Sequence, residues 1–223
     1  MLTLIISLLQ GGLKVALIGH SFVVGLEHYL VNKKMKATSF LHVDSIVSSI
    51  SFYGIRGAKV QDLHTLLPLL RCESFDIVLL DIGSNDIANG ARYEEVVLSL
   101  SFFLTALSAL HSGIICVLSV VPRSAGLPAI SPAQFMDTAS RLEEHLKSWS
   151  KSSQNAIFHK HKGFYERQVD GKKVPLAPSE WSKDGIHPNN STGRRKYANS
   201  LRLAIVKSAK QCKVSGLPVT LPL

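Results

Sequence analysis

The strongest constraint on this chain is a set of short, unbroken apolar runs, each closed by glycine, proline or a polar turn. Residues 76–82 (DIVLLDI) and 113–121 are the longest, and 15–18 sits between Lys14 and Gly19. A strand with one wet face alternates apolar with polar residues. A run that is apolar at every position must bury both faces, which is the situation of a strand inside a parallel sheet.

The segments between these runs have a different period. Residues 23–31, 60–70 (with Asp62 in the first turn), 93–112 and 192–210 carry apolar residues at helical spacing. Ser131 followed by Pro132 reads as an N-cap and a proline at the first helical position, opening a helix to about residue 151. Residues 48–53 and 156–159 complete the expected strands, and 163–182, with Pro175 and Pro178, reads as a polar loop. Strands alternating with helices imply an α/β protein with a parallel sheet and helices on both faces. At 223 residues and 46% hydrophobic content the chain suits one domain, expected over 13–210 between an extension (1–12) and an irregular tail (211–223).

Lysine and arginine number 25 against 16 Asp and Glu, a formal charge of +9. The basic residues are spread along the chain. The densest stretches, Arg194–Arg195–Lys196 and residues 159–162, read as a solvated face rather than a nucleic-acid motif. The three cysteines, Cys72, Cys116 and Cys212, have no paired spacing, so neither a disulfide framework nor a thiolate zinc site is expected. The apolar start lacks the positive region of a signal peptide, and no stretch is expected to span a membrane. Two overlapping glycosylation acceptors at Asn189 and Asn190 directly follow His187, where a glycan would crowd a site; this argues for an intracellular, cytoplasmic protein, with a secreted one as the alternative.

In parallel sheets ligands sit beyond the carboxyl ends of the strands, so chemistry should appear just after the apolar runs. Three polar clusters do so: Gly19–His20–Ser21, Gly54 to Gly57, and Gly83–Ser84–Asn85–Asp86. A fourth, Asp184–Gly185–Ile186–His187, precedes the last helix. A serine hydroxyl needs a base, histidine titrates in the right range, and a carboxylate three residues before it can fold back onto the imidazole. An asparagine amide and free backbone N–H groups can hold developing negative charge. Taken singly, each cluster reads equally as a helix cap or a turn.

Together, and in this order, the four clusters resemble the blocks of the SGNH (GDSL-like) hydrolase superfamily, over about residues 14–210. The resemblance implies a three-layer α/β sandwich with a parallel, five-stranded, flavodoxin-like sheet. It implies a serine esterase for carboxylic esters, of short acyl or acetyl groups. Ser21 would be the nucleophile, His187 the base and Asp184 its orienting partner. Ser21, Gly57 and Asn85 would form the oxyanion hole. No metal or organic cofactor is implied, and the partner is a small ester substrate. His159 and His161 share a strand face but have no companion ligand nearby in sequence, so no metal is expected there either.

One block departs from the pattern. Where the superfamily commonly has Gly-Asp-Ser, this chain has His20 before the serine, either a second titrating group or a packing substitution. His20, Arg56 and Trp181 are candidate substrate contacts. The alternative functions are a binding module of the same fold with little turnover, or an accessory domain near nucleic acid, since modules with Gly-His-Ser resemble segments of mobile-element proteins. No residue pattern bears on oligomeric state.

Overall fold

The computed structural model describes residues 12–123, 125–167, 173–175 and 181–215; the expected extension up to residue 11 and the tail after residue 215 lie outside them. Strand β1 (Leu13–Gly19) runs into helix α1 (Ser21–Asn32), a short helix α2 (Ala37–Phe40) and strand β2 (Val47–Gly54). A 3-10 helix (Val60–Leu66) and α3 (Leu67–Cys72) lead to β3 (Ile77–Asp81), α4 (Ser84–Ala88) and α5 (Tyr93–Leu110). Then come β4 (Ile114–Leu118), α6 (Pro132–Ser152), β5 (Ala156–His159), a hairpin of β6 (Tyr165–Arg167) and β7 (Lys173–Pro175), and α7 (Thr192–Ser215).

The main sheet has five strands in the order β2-β1-β3-β4-β5, all parallel. This is the expected fold, and its order explains the apolar runs. Alternate residues of the central strands enter two different cores. Val15, Leu17, Ile77 and Leu79 pack with Phe22 and Leu26 of α1 and Leu201 and Ile205 of α7. Ala16, Ile18, Val78 and Leu80 pack on the other face with Leu63, Phe103, Phe135 and Leu142. β2 lies at the sheet edge, so its residues are mostly half-exposed and its sequence alternates.

The structure corrects the sequence reading in several places. The helix expected over 60–70 is a 3-10 helix followed by a separate short α-helix. Pro68 accounts for the break: it has no N–H to give His64 four residues back, and its ring crowds that carbonyl. The loop expected over 163–182 contains the β6–β7 antiparallel hairpin. Helices α2 and α4 were not foreseen, being too short to show a period. The last helix continues to Ser215. By length and composition α5 is long and apolar enough to cross a membrane, contrary to the expectation that no stretch would be. Its inner residues Val96, Leu100, Phe103 and Leu107 belong to the second core.

The strand order places β1 and β3 side by side, with their following connections diverging to opposite faces. A crevice opens at such a reversal. Gly19 permits the close approach there, since a Cβ would sit 2.4 Å from the Asp81 carbonyl oxygen. Ser21 and Asn85 stand on the two sides of this crevice.

Candidate active site

Ser21 is the first residue of α1, separated from the end of β1 by His20 alone. His187 and Asp184 come from the loop before α7. The Ser21 hydroxyl and His187 Nε2 are 2.8 Å apart, and His187 Nδ1 is 2.6 Å from Asp184 Oδ2. An ionised carboxylate only accepts, so Nδ1 carries the imidazole proton and Nε2 accepts from the serine hydroxyl. The other carboxylate oxygen, Oδ1, accepts from the backbone N–H groups of Ile186 (2.9 Å) and His187 (3.0 Å). Burial pushes the Asp184 carboxyl up, but the bond from the His187 ring and the two backbone N–H bonds outweigh it, and the net shift is downward.

The loop that carries this pair is closed on itself. Ser182 N–H donates to the His187 carbonyl at 2.7 Å, and Trp181 and Pro188 form an isolated antiparallel bridge. Trp181 is buried against Phe164, with ring centroids 5.9 Å apart. The sequence reading offered Trp181 as a substrate contact; the structure places it under the loop as its anchor. Arg56, another such candidate, is exposed, and its Nη2 lies 3.3 Å from His28 Nδ1.

Gly57 is the third residue of a turn closed by Ala58 N–H donating to the Ile55 carbonyl. Its φ of +70° is strained for any residue with a Cβ. The backbone N–H groups of Ser21 and Gly57 have no partner among the described residues. Asn85 Nδ2 donates to the Ala58 carbonyl (2.9 Å), which occupies one of its two N–H groups and ties the Asn85 and Gly57 loops together. Asp86 adds a second tie, both its oxygens accepting from Val60 N–H at 3.2 Å; burial pushes its carboxyl up to about 6.

Arg123 was missed in the sequence. It is only 5% exposed; Nη2 donates to Asn85 Oδ1 at 3.1 Å and, more closely, to the Ser84 carbonyl. A guanidinium has no acceptor, so this bond forces the Asn85 oxygen toward Arg123 and the amide nitrogen toward the Gly57 side. Burial lowers Arg123 to about 10, which leaves it charged at neutral pH. Its position directly after Pro122, in the connection that follows β4, was the available signal.

His20 is buried, at 2% exposure, and faces inward. Nδ1 accepts from Phe22 N–H at 3.4 Å as the cap of α1, and Nε2 lies 3.3 Å from Ser84 Oγ and 3.7 Å from Asp81 Oδ1. Asp81 is in turn held by the Tyr197 hydroxyl at 2.5 Å, with His161 Nε2 at 3.9 Å. His159 and His161 both reach Ser200 Oγ, at 3.1 Å and 2.9 Å. So the residue expected as a substrate contact belongs to a closed polar cluster beneath Ser21.

Solved structures share this architecture. A protein named as an acylhydrolase from Bacteroides fragilis superposes with a TM-score of 0.63 at 19% identity, over 88% of each chain. The chain has the fold of the SGNH hydrolases. A GDSL-like lipase from Bacteroides thetaiotaomicron gives 0.58 at 14% identity, over 89% of this chain and 88% of that one. A carbohydrate esterase of family 3 from Talaromyces cellulolyticus gives 0.58 at 16% identity, over 89% and 98%. No protein-family model and no curated relative matches the sequence.

Proposed function

We propose that this chain hydrolyses carboxylic esters of short acyl groups, acetyl foremost, by serine-mediated acyl transfer. The observation that carries the reading is the continuous chain Ser21–His187–Asp184 at the carboxyl end of the sheet, with each link within 2.8 Å. As Ser21 Oγ bonds to the ester carbon, His187 Nε2 takes its proton. The carbonyl oxygen becomes an oxyanion held by the Ser21 and Gly57 N–H groups and the free N–H of Asn85. Arg123 keeps that amide turned the right way and polarises it. His187 then gives the proton to the alcohol oxygen as the ester C–O bond breaks. A water, deprotonated by His187, attacks the acyl-serine; the carboxylic acid leaves and the proton returns to Ser21. The sequence needs no metal or organic cofactor.

The short acyl preference rests on space. Among the described residues, the cavity that touches both Ser21 and His187 measures about 20 Å³, enough for a single water- or methyl-sized group. Neighbours of this fold include an acetyl esterase.

The test is hydrolysis of p-nitrophenyl acetate, butyrate and octanoate beside Ser21→Ala, with fluorophosphonate labelling of the protein. Turnover that falls with chain length and is lost in the variant is the expected result. Equal inactivity of both proteins, with no label on Ser21, overturns the reading in favour of a binding module.

A further inference from the structure

The two helix layers of the sandwich carry different surfaces. On one side, α5 and α6 together hold five carboxylates and three Lys or Arg. Several of these pair: Arg141 with Glu94, and Lys147 with Glu143 and Glu144. On the other side, α7 holds seven Lys and Arg in 24 residues and no Asp or Glu. More than a quarter of the 25 cations of the chain thus stand on one helix with no acid to offset them.

Packing sorts this helix by direction. Leu201, Ala204 and Ile205 are buried in the first core. On the outward side, at helical spacing, stand Arg195, Asn199, Arg202 and Lys210, all exposed. Arg195, Arg202 and Lys210 follow one another at roughly 11 Å along the axis, a ridge about 22 Å long. None of the three pairs with a carboxylate among the described residues. Arg194 takes no part, being turned inward to the Gly25 carbonyl and the Tyr29 ring. Lys33, exposed directly after α1, borders an open groove with Asn190 just before α7 and adds a fourth cation at that end.

A fixed row of like charges concentrates polyanions. The rest of the face narrows the choice. Leu203 is the one large apolar side chain exposed on α7 among the described residues, and Tyr197, the aromatic of this helix, is buried. A helix that lies on a membrane turns an apolar stripe to the lipid, and here that stripe is packed in the core. Single-stranded nucleic acid is held by bases stacked on exposed aromatics, which α7 lacks. A duplex offers what remains: phosphates at one charge per about 1.7 Å of axis, contacted by Arg and Lys without reading the bases.

We infer that the outward face of α7, Arg195, Arg202 and Lys210 with Lys33 beside them, is a docking surface for the phosphate backbone of a nucleic-acid duplex. It holds whether or not Ser21 turns over an ester, since it uses none of the residues of that site. DNA and RNA duplexes present the same backbone charge to this face.

Fluorescence anisotropy of labelled DNA and RNA duplexes, titrated with the full chain from about 50 to 200 mM salt, tests it. The expected result is a Kd of about a micromolar at low salt, with log K falling against log salt at a slope near −3.6, about −0.9 for each of the four cations. Arg195→Gln/Arg202→Gln/Lys210→Gln should bring the slope to about −0.9 and weaken low-salt binding roughly tenfold to hundredfold. Arg202→Gln alone should reduce the slope by about one. All three side chains are exposed, so these variants should melt like wild type. Arg92→Gln/Arg141→Gln/Lys151→Gln removes the same charge from the α5–α6 side and should change the Kd less than about threefold. The duplex bound more tightly, DNA or RNA, names the source. No binding of either duplex at low salt overturns the docking surface, and so does an equal loss in the two triple variants, which would show an effect of net charge alone. Binding of phosphatidylglycerol vesicles where the duplexes do not bind also overturns it, and assigns the face to an anionic membrane surface.

Discussion

The molecule contains two histidine–aspartate arrangements, their histidine rings both packed edge-on against Phe22, and they behave oppositely. His187 and Asp184 meet at 2.6 Å with side chains 38% and 45% exposed. His20 and Asp81 face each other at 3.7 Å with side chains 3% and 1% exposed. In the open pair, hydrogen bonds win and Asp184 is held below its ordinary value. In the closed pair, burial wins: Asp81 is pushed up to about 7 against its one bond from Tyr197, and burial, with the charges of Arg123 and the His187 ring, drives His20 down to about 3. The same residue types make a hydrogen-bonded pair open to water in one place and a buried scaffold held near neutrality in the other. An aspartate at position 20 would have placed a second carboxyl beside Asp81, and histidine avoids that repulsion.

The sharpest way to separate the two pairs is to remove their parts and read ester turnover. Ser21→Ala should cost about a millionfold in kcat, and Asp184→Asn about 10⁴-fold by losing the orientation of the His187 ring. The buried counterpart Asp81→Asn can still accept from the Tyr197 hydroxyl and should change kcat less than about tenfold; a loss as large as that of Asp184→Asn would break the comparison. Asn85→Ala should cost about 10²–10³-fold in kcat. Arg123→Met should cost less than Asn85→Ala, acting through the amide it orients, and added guanidinium ion should restore part of the rate; a rate unmoved by the variant would refute the positioning role.

Stability against pH reads the closed cluster directly. His20 and His161 are lowered to about 3 and His159 to about 4, burial being the main cause for each. Folding keeps them neutral, so their contribution is complete above the ordinary histidine value of 6.5 and is lost as pH falls toward 3–4. Each adds a slope approaching ~1.4 kcal/mol per pH unit in that window. The Tm should therefore drop steeply on acidification, and His159→Gln should soften the drop. Asp81 has the opposite sign: folding favours its protonated form, so its contribution is complete below 3.8 and is lost as pH rises through about 7. The smallest effect expected is a Tm of Asp81→Asn that improves relative to wild type between pH 4 and 8. A parallel pair of curves would show that Asp81 does not titrate there.

Much of this was legible locally. The apolar runs required buried parallel strands because no polar position is available for a wet face. Ser131 and Pro132 marked the start of α6, where the Ser131 hydroxyl accepts from Gln134 N–H. Ser21, Asn85, Asp184 and His187 could be named as candidates because each follows a strand or folds onto a neighbour within one turn. The failures were of two kinds. The 3-10 break at Pro68 and the β6–β7 hairpin are too short for a period to show. The misplacement of His20 and Trp181 as substrate contacts came from treating nearness in sequence to the site as nearness to the ligand.

What the sequence determined by itself is the layered α/β architecture and the candidate side chains for chemistry, because periodicity and one-turn spacing are properties of neighbouring residues. What only the tertiary structure decided is the environment of those side chains. The Tyr197–Asp81 bond joins residues 116 positions apart, Arg123 reaches Asn85 across 38, and Arg194 reaches Gly25 across 169. No local pattern marks such partners, yet burial and contact at that range decide which aspartate stays ionised, which way the Asn85 amide points and where the Arg194 guanidinium is held.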